Sequence, residues 1–477
     1  MPLLLRSPEL SDEITPPSLP LYQDSNSMKL SLRQLFHFVA FCSLSCLTIA
    51  KCTIAGEVQL FNGTDFSNWH GRETTDPATF ESIDAKKKET WNQEIATHWK
   101  IEDGVIVNDG KGAYLTTNQE FGDFEFSFEY WIVPTSDSGV YLRGIPQVQI
   151  WDPDAENNKP NGNEKGSGGL WNNPAGWPGK DPLVRADKPT REWNAMRIRL
   201  IGERCSVWLN DQCVVDNARL HNFFAPGEPL PKMGPIQLQT HGAEIRWRNL
   251  KLVEYSAEES NDLLRKFEDE TMASSKKFES LFNGKDLTGW GGATANYTVK
   301  DGTIQCLEGK GGVLHSERVF SDYVMRVDFQ LPPAGNNGLV MRYPTKKEIE
   351  LLSKEKQSGD GAYIGMTELQ VLDDGHSNYA TLDPRQSHGS AYGMAAAKRG
   401  YLRPQGEWNH EVVTVKGSTI QVELNGTKIL DTDLSTISNY MSDSPHPGKD
   451  RTEGHVGFAG HSDPVRFRNV EILPLMK

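Results

Sequence analysis

Phe124-Glu125-Phe126-Ser127-Phe128-Glu129-Tyr130 sets an aromatic residue at every second position and a polar one between. Side chains of a β-strand point alternately to its two faces, so this segment buries one face and wets the other. The same period returns, less strictly, from Tyr323 to Leu331. Three further strands, 412–415, 419–424 and 427–430, are predicted around Asn425-Gly426, the strongest short hairpin signal. Many short alternating segments separated by turn residues predict an all-β sandwich. Helical signals are few; 346–354 is one.

Outward from these strands the chain repeats itself. Leu60-Phe61-Asn62-Gly63 with Trp69 returns as Leu281-Phe282-Asn283-Gly284 with Trp290. Ser138-Gly139-Val140-Tyr141-Leu142-Arg143 returns as Asn337-Gly338-Leu339-Val340-Met341-Arg342. Gln147-Val148-Gln149-Ile150-Trp151-Asp152 matches Glu368-Leu369-Gln370-Val371-Leu372-Asp373. Glu192-Trp193-Asn194 matches Glu407-Trp408-Asn409, and Leu209-Asn210-Asp211 matches Leu424-Asn425-Gly426. His241 with Arg246-Trp247-Arg248-Asn249 matches His461 with Arg466-Phe467-Arg468-Asn469. Order is kept and only loop lengths differ, so two copies of one domain are expected, at 56–255 and 277–477. A charged stretch, 256–276, joins them as a short helix or a flexible linker.

The 477 residues carry a net charge of -14, with 37% hydrophobic and 24% charged residues. This is a globular composition. No run of Lys and Arg suits a phosphate backbone or an anionic bilayer, so nucleic acid is excluded as an expected partner. Residues 1–27 are polar and Pro-rich; Met28 then opens a basic and apolar segment through Ala50. It reads as an extension followed by a secretory signal, with Met28 the functional start, giving a secreted, periplasmic or cell-surface protein. A single N-terminal membrane anchor is the alternative. Past that segment only Cys205, Cys213 and Cys306 remain. A two-residue turn at Asn210-Asp211 pairs Cys213 with Trp208 and leaves Cys205 and Cys213 on opposite faces, so no disulfide is expected.

The ordered motifs L-F-N-G-x-D-[FL]-x-x-W, [NS]-G-x-x-x-R, [EQ]-x-Q-[IV]-x-D, E-W-N, L-N-[GD] and F/W-R-N span nearly all of both copies. They resemble the 3-keto-disaccharide hydrolase family, whose members are concanavalin A-like jelly rolls. The resemblance implies two tandem jelly-roll β-sandwiches and cleavage of glycosides already oxidised at C3. It implies a carbohydrate substrate. The copies resemble two branches of the family: the first carries Gly166-Ser167-Gly168-Gly169-Leu170-Trp171, the second Ser387-His388-Gly389-Ser390-Ala391-Tyr392.

Strand parity groups the polar residues. With Val148 and Ile150 inward, Gln147, Gln149 and Trp151 share the other face; with Leu369 and Val371 inward, so do Glu368 and Gln370. Arg143, Arg342, Gln239, His241 and His461 are placed on the same concave surfaces. An outer strand face is more often merely solvated, but recurrence of the same residue types in both copies favours a sugar site, which needs paired donors and acceptors beside an apolar platform. Asp152, Trp171, Asp373, Tyr392 and Trp408 are further candidate sugar contacts. His241 and His461 can equally bind turn carbonyls, and Asp152 and Asp373 can cap turns.

The implied reaction removes the C2 proton made acidic by the 3-ketone, expels the C1 substituent and adds water. It requires a base, an acid and an oxyanion donor. In the second copy Glu368 is the candidate base, His388 or His461 the acid, and Arg342 and Gln370 the oxyanion donors. A divalent metal on Glu368, His388 and His461 can replace those donors, although no ligand spacing identifies it. Gln147 stands where Glu368 does and cannot act as a base, so the first copy is a binding domain or uses Glu244, Asp152 or His241. A retaining glucanase needs two carboxylates on one strand, as E-x-D-x-x-E, which neither copy has. A non-catalytic pair of carbohydrate-binding modules, gaining avidity from linkage, is the competing function.

Overall fold

The computed structural model describes residues 56–272, 277–356 and 365–475. The expected extension and signal segment lie outside these residues. In the strand Phe124–Ile132 the residues at even positions are buried and those between them are half-buried, as the aromatic alternation requires. Its aromatic face meets Trp247, with the Phe128 and Trp247 rings 5.3 Å apart.

Each repeat forms one antiparallel β-sandwich of jelly-roll type. In the first, an eight-stranded sheet runs in the order Gln212–Arg219, Arg204–Leu209, Asn194–Ile201, Phe124–Ile132, Ile245–Glu254, Val105–Asn108, Trp99–Glu102, with Gly56–Val58 added beside Ile245–Glu254. Across the core lies a five-stranded sheet: Trp69–Arg72, Tyr114–Thr117, Gln237–Leu238, Asp137–Leu142, Ile145–Trp151. The second sandwich repeats both orders. Its five-stranded sheet is Trp290–Gly292, Gly311–Ser316, His455–His461, Asn336–Tyr343, Thr367–Leu372. Each sandwich has its own apolar core between its sheets.

The turn chemistry read from the sequence sets the registers. Leu424 pairs with Thr427 across Asn425-Gly426, both at positive φ. Trp208 pairs with Cys213, and Cys205, Cys213 and Cys306 are free thiols. The predicted helix at 346–354 is Lys346–Lys356.

The joining stretch contains the helix Ala257–Thr271, started by a capping box of Ser256 and Glu259. It docks on the second sandwich. Arg265 holds Asp328 through two 2.8 Å hydrogen bonds, and buried His410 bridges Asp328 and Glu268 at 2.9 Å each. The sandwiches also meet directly. Arg204 clasps Glu423 through two 2.9 Å bonds, Arg219 reaches both Glu423 and Glu203, and the amide of Lys428 donates to Glu203.

Burial alone would push the His410 imidazole down, but Glu268 and the hydrogen bonds to Asp328 and Glu268 outweigh it and hold it up at about 9. His410 is therefore charged at neutral pH, and its folded value lies above the unfolded value near 6.5. The stability it contributes, about 3 kcal/mol, is complete below pH ~6.5 and lost as pH rises through about 9. Urea midpoints measured from pH 6 to 10 should fall across that window, and His410→Gln should remove the fall.

Candidate functional site

The outer face of each five-stranded sheet forms the floor of a cleft. In the second sandwich the cleft has a volume of about 440 Å³. Glu368, Gln370 and Leu372 line it from the strand Thr367–Leu372, with Asn336 and His461 from strands of the same sheet. Tyr379, Leu382, Gln386 and Tyr392 close one side, and Met441, Ser442, Ser444 and His446 another. In the first sandwich the cleft is about 360 Å³. Gln147, Gln149, Trp151, Asp137, Gln239 and His241 line its floor, with Trp171, Phe223, Tyr114 and Tyr141 around it. Both volumes suit a small ligand.

A glycine shapes each floor. Gly338 lies beneath the Glu368 carboxylate, and a Cβ there would stand 2.1 Å from Oε1. Gly139 lies beneath Gln147 in the same way, its missing Cβ 3.1 Å from Cδ. The glycine of the [NS]-G-x-x-x-R motif thus leaves room for the polar side chain of the neighbouring strand to lie flat across the sheet.

In the second cleft His461 Nε2 lies 3.4 Å from Glu368 Oε1. Glu368 is nearly buried while His461 is half exposed. The hydrogen bond to Glu368 raises the His461 imidazole above its ordinary value, against the effect of burial. Gln370 Nε2 donates to Asn336 Oδ1 at 2.6 Å, and Gln386 Nε2 donates to the Tyr392 hydroxyl at 2.9 Å. In the first cleft Gln147 donates to Gln149 Oε1, and Gln149 donates to Asp137 Oδ1 at 2.6 Å. Asp137 Oδ2 stands 3.3 Å from His241 Nδ1, and this contact raises the His241 imidazole.

The structure thus brings Glu368, Gln370, Tyr392 and His461 to one cleft, and Gln147, Gln149, Trp151, Trp171 and His241 to the other. It places the other candidates elsewhere. Arg342 is not an oxyanion donor. Its guanidinium is buried against the carbonyls of Ser321, Gly417 and Arg451 and the Asp322 carboxylate. Arg143 does the same with Gly122, Pro231 and Asp123. Both arginines have φ of +54°, beside breaks in the strand register, so the expected alternation ends just before them.

His388 is buried, not in the cleft. Its Nδ1 accepts the Leu372 amide at 3.4 Å, its Nε2 lies 2.9 Å from buried Glu411, and its ring lies against Phe329. The set Glu368, His388 and His461 therefore does not converge. Among the described residues no three acidic, imidazole or thiolate groups gather as a metal site. Asp152 and Asp373 hold turns: they accept the amides of Thr135 and Ala334, both at positive φ. Trp408 lies under Arg468, 4.1 Å from its guanidinium, outside the cleft. Glu244 is paired with Arg246 at 2.6 Å.

Asp137 and Asn336 were missed by the sequence reading. Each stands two residues before the floor glycine, so parity puts it on the cleft face. The repeat motif as read began one residue later. The wall at 441–446 comes from the connection before His455–His461, as Phe223 of the first cleft comes from the connection before Gln237–Leu238, and neither loop carries a periodic signal.

The profile of a family described as 3-keto-alpha-glucoside-1,2-lyase-like domain matches residues 56–253 and again 277–473. A curated 3-keto-disaccharide hydrolase of Bacteroides thetaiotaomicron is 27% identical over 227 residues, covering 40% of this chain and 77% of that protein. The crystal structure of a candidate glycosyl hydrolase from Parabacteroides distasonis shows 24% identity, with a TM-score of 0.36, over 42% of this chain and 100% of that one. A carbohydrate binding module from Bacillus subtilis shows 14% identity and a TM-score of 0.26, over 38% of this chain and 93% of that one.

Proposed function

The chain belongs to the family of 3-keto-alpha-glucoside-1,2-lyase-like domains, in two copies, and from that premise we propose that its second sandwich cleaves 3-keto glycosides by elimination and hydration. The observation that carries this reading is the Glu368–His461 pair on the cleft floor, 3.4 Å apart. A carboxylate beside an imidazole whose proton it helps to hold supplies the base and the acid that the reaction needs.

A ketone at C3 acidifies the hydrogen at C2. Glu368 takes that proton, and the electron pair moves into the C2–C3 bond and onto the ketone oxygen. The Asn336 side-chain amide, held through its Oδ1 by Gln370 Nε2, is the neutral donor lining the cleft for that oxygen. The enolate then expels the C1 substituent, whose oxygen takes the proton of His461. Water adds at C1, giving its proton back to His461, while Glu368, its proton exchanged with solvent once the leaving group has departed, gives a proton to C2. The net change is hydrolysis. Tyr392, Tyr379 and the wall at 441–446 would hold the sugar and its aglycone. Export to the periplasm or cell surface is part of this reading and rests on the segment from Met28 alone.

The pH dependence tests the pair. His461 must carry its proton, and its value is raised by Glu368. The rate should therefore fall as pH rises past that raised value. Measured in a chain whose first cleft carries Asp137→Asn, His461→Gln should lower kcat by about 10²–10³-fold and remove the alkaline fall. An unchanged alkaline limb would take the acid role away from His461.

A further inference from the structure

Four positions on the cleft floor correspond between the sandwiches. In the first they hold Asp137, Gln147, Gln149 and His241; in the second, Asn336, Glu368, Gln370 and His461. The registers match: Gly139 pairs with Gln149 as Gly338 pairs with Gln370, and Asp137 pairs with Trp151 as Asn336 pairs with Leu372. At these four positions each floor thus has one carboxylate, two amides and one imidazole, and Gln239 is a further amide of the first floor. The central Gln and the His keep their places, while the carboxylate and an amide have changed ends of the row. In each sandwich the His leans to whichever end carries the acid: His461 to Glu368 at 3.4 Å, His241 to Asp137 at 3.3 Å.

A domain that only bound sugar would not need its acid to follow the imidazole. Loss of Glu at the Gln147 position would leave an all-amide floor, with donors and acceptors enough for hydroxyl groups. Instead Asp137 is partly open to the cleft, held on one oxygen by Gln149 and facing His241 with the other. We infer that the first sandwich is a second proton-transfer site for 3-keto glycosides, with Asp137 as base and His241 as acid. This rests on the reaction assigned to the second sandwich.

The step is the same in its balance. Asp137 takes the C2 proton, the C1–O bond breaks with its electron pair on the leaving oxygen, and His241 protonates that oxygen. Water then adds at C1. The base, however, stands at the other end of the row. A sugar seated on the central Gln must turn its C2 hydrogen toward the strand Asp137–Leu142 rather than toward the neighbouring strand. The walls differ as well: Trp151, Trp171 and Phe223 in the first cleft, Tyr379, Tyr392 and 441–446 in the second. The two sites therefore select different members of the 3-keto glycoside class.

The test uses the full chain in five forms: unaltered, Asp137→Asn, Glu368→Gln, the double variant of these two, and Glu368→Gln with His241→Gln. Methyl 3-keto-α-glucoside and methyl 3-keto-β-glucoside are supplied separately, and methanol release is followed. The Glu368→Gln chain should keep at least a tenth of the unaltered rate on one anomer. Asp137→Asn or His241→Gln should then remove that residual rate at least 100-fold. A Glu368→Gln chain as inactive as the double variant on both anomers would overturn the second site and leave the reading of the second sandwich standing. A residual rate indifferent to Asp137→Asn would also overturn it. An unaltered chain inactive on both would remove both claims.

Discussion

In a chain carrying Asp137→Asn, the further change Glu368→Gln should lower release of 3-ketoglucose from a 3-keto disaccharide by about 10³–10⁴-fold. The background variant confines the measurement to the second sandwich. Glutamine matches glutamate in shape and keeps the hydrogen-bonding reach, so packing on Gly338 and Leu369 is preserved. It has no lone pair basic enough to take a C2 proton, and general base catalysis of this kind contributes about 10²–10⁴-fold. A second loss follows from the first. The hydrogen bond to Glu368 is the largest influence raising His461, so without the carboxylate the imidazole holds its proton less well and serves less well as the acid. KM should change little, since the amides of Gln370 and Asn336 remain. Initial rates by mass spectrometry, with urea midpoints as the control for folding, decide the matter.

In the same Asp137→Asn background Gly338→Ala should also be damaging, by a smaller factor, although it adds one methyl group and removes no polar atom. The new Cβ would stand 2.1 Å from Glu368 Oε1 and 2.7 Å from its Cδ and Cγ. Ordinary contacts are above 3.4 Å, so the carboxylate must move by more than 1 Å. A displacement of that size in a reacting group costs about 10²-fold in rate. Strand geometry itself tolerates alanine here, as Gly338 is not at positive φ. The expected result is a folded chain with kcat down about 100-fold, and His461 titrating nearer its ordinary value. Retention of full activity would show that the Glu368 position seen here is not the working one.

Much of the architecture was legible because it depends on local patterns. Phe124–Ile132 carried its own alternation, Asn425-Gly426 its own turn, and the recurrence of ordered motifs gave two copies. Parity also grouped Gln147 with Gln149 and Glu368 with Gln370. It failed at Arg143 and Arg342, since a register break and a positive φ send each guanidinium to backbone carbonyls instead of the cleft. His388 was misplaced for another reason. It lies beyond its strand in a loop, where no period says which way a side chain points, and a buried partner, Glu411, claims it. Asp137 was overlooked because the repeat motif was taken to open at Ser138, one residue after it, and the first copy's alternatives were placed at Glu244, Asp152 and His241 instead. The docking of the sandwiches joins residues more than two hundred positions apart, such as Arg204 and Glu423, and no local pattern encodes that.

The most direct test of the elimination route is one turnover experiment in D₂O. The purified chain from Gly56 onward is given 3-keto-trehalose, and the first 3-ketoglucose released is analysed for deuterium at C2, against the spontaneous exchange rate of the free sugar. Proton abstraction by Glu368 and return from solvent predict one deuterium at C2 in the first product formed. Release of 3-ketoglucose without deuterium at C2, or no release from any 3-keto glycoside while intact glycans still bind, would contradict it.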